Sequence, residues 1–525
     1  MRNAIFLSPQ MYFIYLAEII NKKLNINPKY FHSNHESYDF IERKFPDAIN
    51  HNYYDSIKGI PPKGHDSFNK FDIDIDLINE LSESEYISLS MMDRNDSCTD
   101  SFKYRERLEF YYKQVSYWSM IIRKFKIKYV FFEEEPHQAT DYILYKVCEK
   151  LKIETVMFVR TISNFGILPM KKFEEGCIKL KKIYQENLIK YKNKEVESNP
   201  ILEKYFKYFK SNYQNILKEH LWDQLESYEK LINRKNSKLS NYRFFIDNAL
   251  RFFDSLFFKR IKLFNAKYFL SDQKEKNKPL SESNMNYSSY LFYKIKTTLK
   301  KISNRNFYNK ISNYNLDLNQ KFVLCALQYQ PEKSTCPLGS RYGDQFLMIK
   351  KLRNSLPDNI KIFVKEHPSQ FIFDYTRYGE IHRDKEFYMK IINLDNIEIV
   401  PINFDIFSLI DKSLAVASVT GTICWEGVNR GKPAMCFGHS WMKNCEGIFT
   451  IKNQIDLQNI IKKIIDNEID VSLKKVYIFA LSIVNLNFRC AIGGINQLKF
   501  HRVSAEENAE IHFRAVSWLI EKKYK

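Results

Sequence analysis

Leu414-Ala415-Val416-Ala417, Ser418-Val419-Thr420-Gly421-Thr422, Ile423-Cys424-Trp425-Glu426-Gly427-Val428-Asn429-Arg430, Gly431-Lys432-Pro433 and Ala434-Met435-Cys436-Phe437 follow one another without a gap. The first and last runs are short and apolar, as buried strands are, and the third has helical length between two turn-forming groups. Strand, helix and strand in that order make a right-handed crossover unit of a parallel sheet. The alternation continues upstream, with strands at 322–327, 362–365 and 397–400 and helices at 345–356 and 406–410. It predicts an α/β fold with a doubly wound sheet.

A second region of the same kind opens the chain. Residues 3–7 read as a buried strand and 11–20 as a helix, while 30–100 are mixed and show no clear order. A helical pattern over 101–124 leads to the β-branched and aromatic run 127–132, then Glu133-Glu134-Glu135-Pro136-His137-Gln138, a helix over 139–151 and a strand over 155–159. Residues 171–319 differ, being rich in Lys, Tyr and Phe with long helical patterns. The expected domains are 1–170, a helical insertion or linker over 171–319, a second α/β domain over 320–500 and a closing helix over 501–525, which is expected to pack back across the domain boundary.

With 525 residues the chain is too long for one ordinary core. A hydrophobic content of 44% with only 14 Gly and 15 Pro excludes a low-complexity or disordered chain. The formal charge of +19 creates a field that attracts nucleotides, anionic sugars, nucleic acid or an anionic membrane face without choosing among them. The nine Cys contain no C-x-x-C pair, which favours a reducing compartment and no structural zinc. Ser8-Pro9-Gln10 interrupt the apolar start, so no secretion signal is expected. The apolar stretch 244–264 carries too many charges to span a membrane; Arg251, Lys259, Arg260 and Lys262 beside Phe245, Phe252 and Leu256 suit either a basic amphipathic helix on an anionic leaflet or a buried interdomain helix. Asp72-Ile73-Asp74-Ile75-Asp76 alternates as a half-exposed strand does and is assigned no metal.

Ligands of open α/β sheets bind beyond the carboxyl ends of the strands. Lys365-Glu366-His367-Pro368 ends one strand there, placing a cation and an imidazole where a phosphate would take a charge-assisted bond, although His367 suits backbone capping equally. Ser418 to Thr422 ends another strand with hydroxyls and free amides, Gly421 allowing close backbone approach; ordinary N-capping explains the same residues. Glu426 is placed to accept from a ribose or sugar hydroxyl, or stands as a solvated helical carboxylate. In the first domain, Glu133 to Glu135 repel one another, so one of them is expected to keep a raised pKa, as general acid–base work requires. Glu135 is the first candidate catalytic residue and Glu134 the second, with His137 orienting or sharing the proton. Helix dipoles attract acidic residues for structural reasons too.

Leu327-Gln328-Tyr329-Gln330-Pro331-Glu332, Pro337-Leu338-Gly339, Val364-Lys365-Glu366-His367-Pro368 and the block Ser418 to Thr422 with Trp425-Glu426-Gly427 and Arg430-Gly431-Lys432-Pro433 resemble the capsule polysaccharide biosynthesis family that includes the Kdo transferases of capsule assembly. The resemblance covers 320–445 well and 127–160 moderately. It implies a GT-B fold, two facing Rossmann-like domains with a helical insertion, acting as a metal-independent glycosyltransferase without a cofactor. The donor nucleotide would sit on the C-terminal domain against Gln328, Lys365, His367, Pro368, Ser418, Thr420, Gly421, Thr422 and Glu426. A CMP-sugar, such as one of Kdo or another ulosonic acid, is favoured over UDP or CDP, although Val419 departs from the double-hydroxyl motif of CMP-sugar enzymes. The acceptor would be an oligosaccharide or lipid-linked glycan, and the protein cytoplasmic or peripheral on an anionic membrane surface.

Three other readings remain open at this point: a glycerol- or ribitol-phosphate polymerase, a UDP-sugar epimerase relative, and a nucleic-acid binder. The last rests on charge alone, without a recognisable binding motif, and no nucleic acid partner is expected.

Overall fold

The computed structural model describes residues 2–64, 73–96, 102–162, 165–209, 287–371, 382–494, 497–498 and 501–520. Two compact units emerge: Met1–Met92, Lys103–Lys194 and Ala480–Lys525 form the first, and Asp93–Phe102 with Glu195–Phe479 form the second.

The first unit carries a six-stranded sheet of β1 (Arg2–Leu7), β2 (Ile26–Ser33), β3 (Ile49–Asn52), β4 (Ile127–Phe132), β5 (Glu154–Arg160) and β6 (Ile167–Met170), ordered β3-β2-β1-β4-β5-β6. Only β6 runs antiparallel. The second unit repeats the design with β7 (Phe322–Ala326), β8 (Lys361–Lys365), β9 (Ile397–Val400), β10 (Ala415–Ser418), β11 (Ala434–Cys436) and β12 (Ile448–Thr450), ordered β12-β11-β10-β7-β8-β9 and all parallel. Numbered within each unit, both orders are 3-2-1-4-5-6, the Rossmann order. Two Rossmann-like units of the GT-B type are therefore present.

The strands form where apolar side chains are wanted on both faces. Phe322, Val323, Leu324 and Cys325 are all buried between covering helices, as a parallel sheet demands. The helix Ile423–Asn429 lies close on β10 because Gly427 has no side chain there: a Cβ would come 2.5 Å from Val416 Cγ2. Gly431, at φ 75°, turns the chain into β11.

Three expectations need correction. The boundary placed at 500 falls near 480, because Phe488, Cys490 and Ile492 join the first core and Phe488 O accepts from Ile167 N at 3.0 Å. The helix Ala505–Ile520 packs on Met11–Leu24 in the same unit. Residues 73–76 are not a strand: Asp74 accepts from Leu77 N at 3.1 Å and caps the helix Ile75–Glu80, so a local side-chain bond outweighs the alternation. Asp72 lies outside the described residues. The region 30–100 holds β2's end and β3, hidden because their buried positions carry His32 and His51 rather than aliphatic residues. Those imidazoles are satisfied internally, His32 Nε2 with Ser56 Oγ at 2.8 Å and His51 Nε2 with Ile60 O at 2.8 Å. Within 171–319 the described helices are Ile178–Lys190, Pro200–Phe209 and Tyr287–Ile311; the amphipathic stretch 244–264 lies outside the described residues.

Candidate active site

In a sheet of this order the crevice opens where the strand sequence reverses, because the connections from the two central strands leave toward opposite faces. In the second unit that point lies between β7 and β10. A cavity of about 390 Å³ occupies it, lined by the segments that follow β7, β8, β9 and β10. All nine residues assigned to the nucleotide, Gln328, Lys365, His367, Pro368, Ser418, Thr420, Gly421, Thr422 and Glu426, line this cavity, together with Ile402 to Ile406 from the end of β9.

Their individual bonds divide the nine by task. Ser418 Oγ donates to Ala326 O at 2.9 Å, so its hydroxyl ties β10 to β7 and keeps only acceptor capacity for a ligand. Gln328 Oε1 accepts from Thr420 N at 2.7 Å and Gln328 Nε2 reaches Thr420 Oγ1 at 3.2 Å, clamping the turn after β10 to the loop after β7. Gly421 sits tightly in that turn: a Cβ would lie 2.8 Å from Ser418 Oγ and would displace that hydroxyl. Thr422 is exposed, and its hydroxyl makes no capping bond to the helix it precedes. Capping therefore does not explain these hydroxyls.

Lys365 Nζ donates to Ile402 O at 2.7 Å and keeps two further donors. Burial lowers its pKa to about 8, against the pull of Glu366 and Asp405, so the ammonium is charged at neutral pH. The half-buried His367 accepts from Ser369 N at Nδ1, 3.2 Å away, which leaves the proton on Nε2. Burial, then Lys365 and Arg383, push its pKa down to about 4. His367 is thus a neutral donor, not a second cation. Glu426 is buried, with its pKa raised to about 7 by desolvation, and Thr422 Oγ1 donates to its Oε1 at 3.4 Å.

Behind the cavity stands a polar assembly that no local motif announces. Gln345 Oε1 accepts from Gln328 N, and Gln345 Nε2 donates to Gln328 O and Gln330 Oε1, all within 2.9 Å. Gln370 Oε1 accepts from Gln330 N at 3.1 Å. Arg383, fully buried, pairs with Glu366. These residues are far apart in sequence and read singly as surface polar groups.

In the first unit the sequence-predicted triplet splits. Glu133 accepts from Ser8 Oγ at 2.6 Å, Gly493 N at 2.8 Å and Tyr12 OH, so it knits β1 to β4 and the C-terminal segment. Burial raises its pKa, and it is a structural carboxylate. Glu135 is buried. Glu134 Oε1 meets His137 Nδ1 at 2.8 Å, with side-chain exposures of 30% and 28% that let a substrate reach the pair. Asp141, absent from the sequence candidates, accepts from Gln138 N at 3.0 Å, and burial raises its pKa to about 6. Among the described residues no cluster of three or more His, Cys, Asp or Glu is arranged to hold a metal, and no helix is long and apolar enough to cross a membrane.

Residues 276–478 match the family model described as capsule polysaccharide biosynthesis protein. Over those residues the chain is similar to that family. The matched segment contains the whole of the second sheet and all nine cavity residues. No curated protein matches by sequence. Among solved structures the chain is similar to the beta Kdo 2,7 transferase KpsC of Thermosulfurimonas dismutans, at 15% identity over 39% of this chain and 68% of that one, with a TM-score of 0.22. It is also similar to the UDP-GlcNAc 2-epimerase of Neisseria meningitidis bound to UDP-GlcNAc, at 11% identity over 92% and 100% with a TM-score of 0.22. The Methanocaldococcus jannaschii UDP-GlcNAc 2-epimerase, in complex with UDP-GlcNAc and UDP, aligns at 11% identity over 92% and 99% with a TM-score of 0.24. Likeness at that level carries no information about activity, and the chemistry of the cavity rests on its own residues.

A pH prediction follows from two of them. A carboxylate with a raised pKa ionises late: Glu426 becomes a good acceptor for hydroxyls only as pH rises through about 7. Lys365 loses its charge as pH rises through about 8. The affinity of this cavity for a nucleotide is therefore expected to peak between these values and fall on both sides. Calorimetric titrations from pH 5.5 to 9.5 would show it, with Glu426→Gln abolishing the acid limb alone.

Proposed function

We propose that the chain is a glycosyltransferase of capsule or surface-polysaccharide assembly, whose second unit holds the nucleotide of a nucleotide-sugar donor. The observation that carries this reading is the convergence of a buried ammonium, a neutral imidazole and the Thr420 to Thr422 turn in one cavity at the sheet's switch point. Its volume of about 390 Å³ lies at the small end of the usual ligand-site range of roughly 300–1,000 Å³, which suits a nucleotide better than a whole glycan. Lys365 and His367 would bond the phosphate, stabilising it as it leaves with the nucleotide, and Glu426 would accept from ribose. A CMP-linked ulosonic acid such as Kdo is the favoured donor, with UDP- and CDP-sugars next; a lipid-linked or oligosaccharide acceptor on an anionic membrane face is the favoured partner. On the first unit the Glu134–His137 pair is assigned the acid–base role, ahead of Glu135.

The test is a calorimetric screen of CMP, CDP, UDP and GDP on the wild-type chain and on His367→Ala. One nucleotide should bind, and loss of the imidazole bond, worth about 1.5–3 kcal/mol when the acceptor is charged, should weaken it roughly tenfold or more. Unchanged affinity in a folded His367→Ala protein would remove this cavity from the proposal.

A further inference from the structure

Arg383 does not line the cavity, yet its guanidinium bonds to both loops that do. Nε donates to Glu366 Oε2 at 2.7 Å, Nη1 to Gln330 Oε1 at 2.7 Å and His382 O at 2.9 Å, and Nη2 to Gln328 O at 3.0 Å. The planar group is held from the other side by the Phe387 ring, 4.4 Å from its centroid, while Tyr388 OH donates to the same Glu366 oxygen at 2.8 Å. Glu366 Oε1 in turn accepts from His367 N at 2.8 Å.

A buried ion pair with exposures of 2% and 0% is a poor device for stability, because desolvation offsets most of the attraction and apolar replacements are often as stable. What an apolar core cannot supply is direction. A rigid fork fixes several oxygens at defined angles, and here the oxygens belong to Gln328, Gln330 and Glu366, at the ends of β7 and β8. The next link is the Gln328 side chain, which clamps Thr420 through its backbone amide and hydroxyl.

We infer that Arg383 is a positioning residue for the nucleotide cavity, holding Gln328 so that its amide presents the Thr420 to Thr422 turn to the ligand. This rests on the nucleotide reading of that cavity. Lysine keeps the charge but not the fork, so Arg383→Lys should weaken nucleotide binding while the protein remains folded.

The experiment measures CMP affinity for the full-length wild-type chain, Arg383→Lys, Gln328→Ala and the double variant. Arg383→Lys is expected to weaken binding about fivefold or more in the wild-type background, and about twofold or less once Gln328→Ala has removed the relay, since residues acting through one network are non-additive. Tyr388→Phe, which removes one hydroxyl from Glu366, should show the same non-additivity on a smaller scale and serves if the lysine variant does not fold. Equal losses in both backgrounds, or a lowered melting temperature with unchanged affinity, would overturn the inference and leave the nucleotide site standing. Failure of the wild-type chain to bind CMP while binding another nucleotide of the screen moves the same measurements to that nucleotide; failure to bind any of the four overturns the nucleotide reading and this inference with it.

Discussion

Glu134→Gln is expected to lower sugar transfer by about a hundredfold to ten-thousandfold while leaving nucleotide affinity unchanged, the range usual for a lost general acid or base. Three neighbouring carboxylates leave β4, and their surroundings separate them. Glu133 is spent on Ser8, Tyr12 and Gly493, so Glu133→Gln, which sets an amide against two O–H donors and one N–H donor, should cost stability first and turnover only through it. Glu135 is buried, whereas Glu134 is hydrogen-bonded to an imidazole and reached by solvent, as a proton-transfer pair must be. Turnover at saturating donor, compared across the three Gln variants, would decide. Near-normal transfer by both Glu134→Gln and Glu135→Gln would show the loop to be structural and the catalytic group to lie elsewhere.

The second large effect is expected at Lys365. Lys365→Met keeps most of the buried stem and removes the ammonium, so it should weaken nucleotide binding by about 10- to 150-fold, equivalent to about 1.5–3 kcal/mol for a bond to a charged group. It also strips Ile402 O of its donor, so a loss of roughly 1–3 kcal/mol in folding stability should accompany it in denaturant unfolding. Binding unchanged at pH 7 in a folded Lys365→Met protein would mean that the phosphate lies away from this ammonium.

The strands that could be read in advance are those whose burial is mainly apolar. β1, β4, β5 and β7 to β11 are built mostly of Val, Ile, Leu, Phe, Met, Cys and Ala, although β4 carries Lys128 and β9 carries Glu398. β3 is Ile49-Asn50-His51-Asn52, and nothing in that string says that His51 is inward and bonded to Tyr30; hydropathy treats a satisfied buried imidazole as a surface group. The return of 480–525 to the first unit was equally hidden, because a helix of mixed polarity does not name the surface it packs on.

The site divides in the same way. Residues at strand ends are legible because topology sends them to one edge of the sheet, and for that reason the sequence alone groups Lys365, His367 and Ser418 to Thr422. The bonds that orient them are not legible there. Gln345, Gln370 and Arg383 enter from separate helices and loops, and only tertiary packing brings them within 3.2 Å of Gln328 and Gln330. Glu366 stands beside a strand-end lysine and histidine in the sequence, but its burial, which demands a cation, shows only in the structure.

The most direct test of the central claim is a crystal structure of the full chain soaked with the nucleotide that binds most tightly in the calorimetric screen. The phosphate is predicted within hydrogen-bonding distance of Lys365 Nζ, His367 Nε2 and the amides or hydroxyls of Thr420 to Thr422, with the ribose toward Glu426. A nucleotide bound with its phosphate at another edge of the sheet, leaving these groups without contact at saturation, would contradict the account.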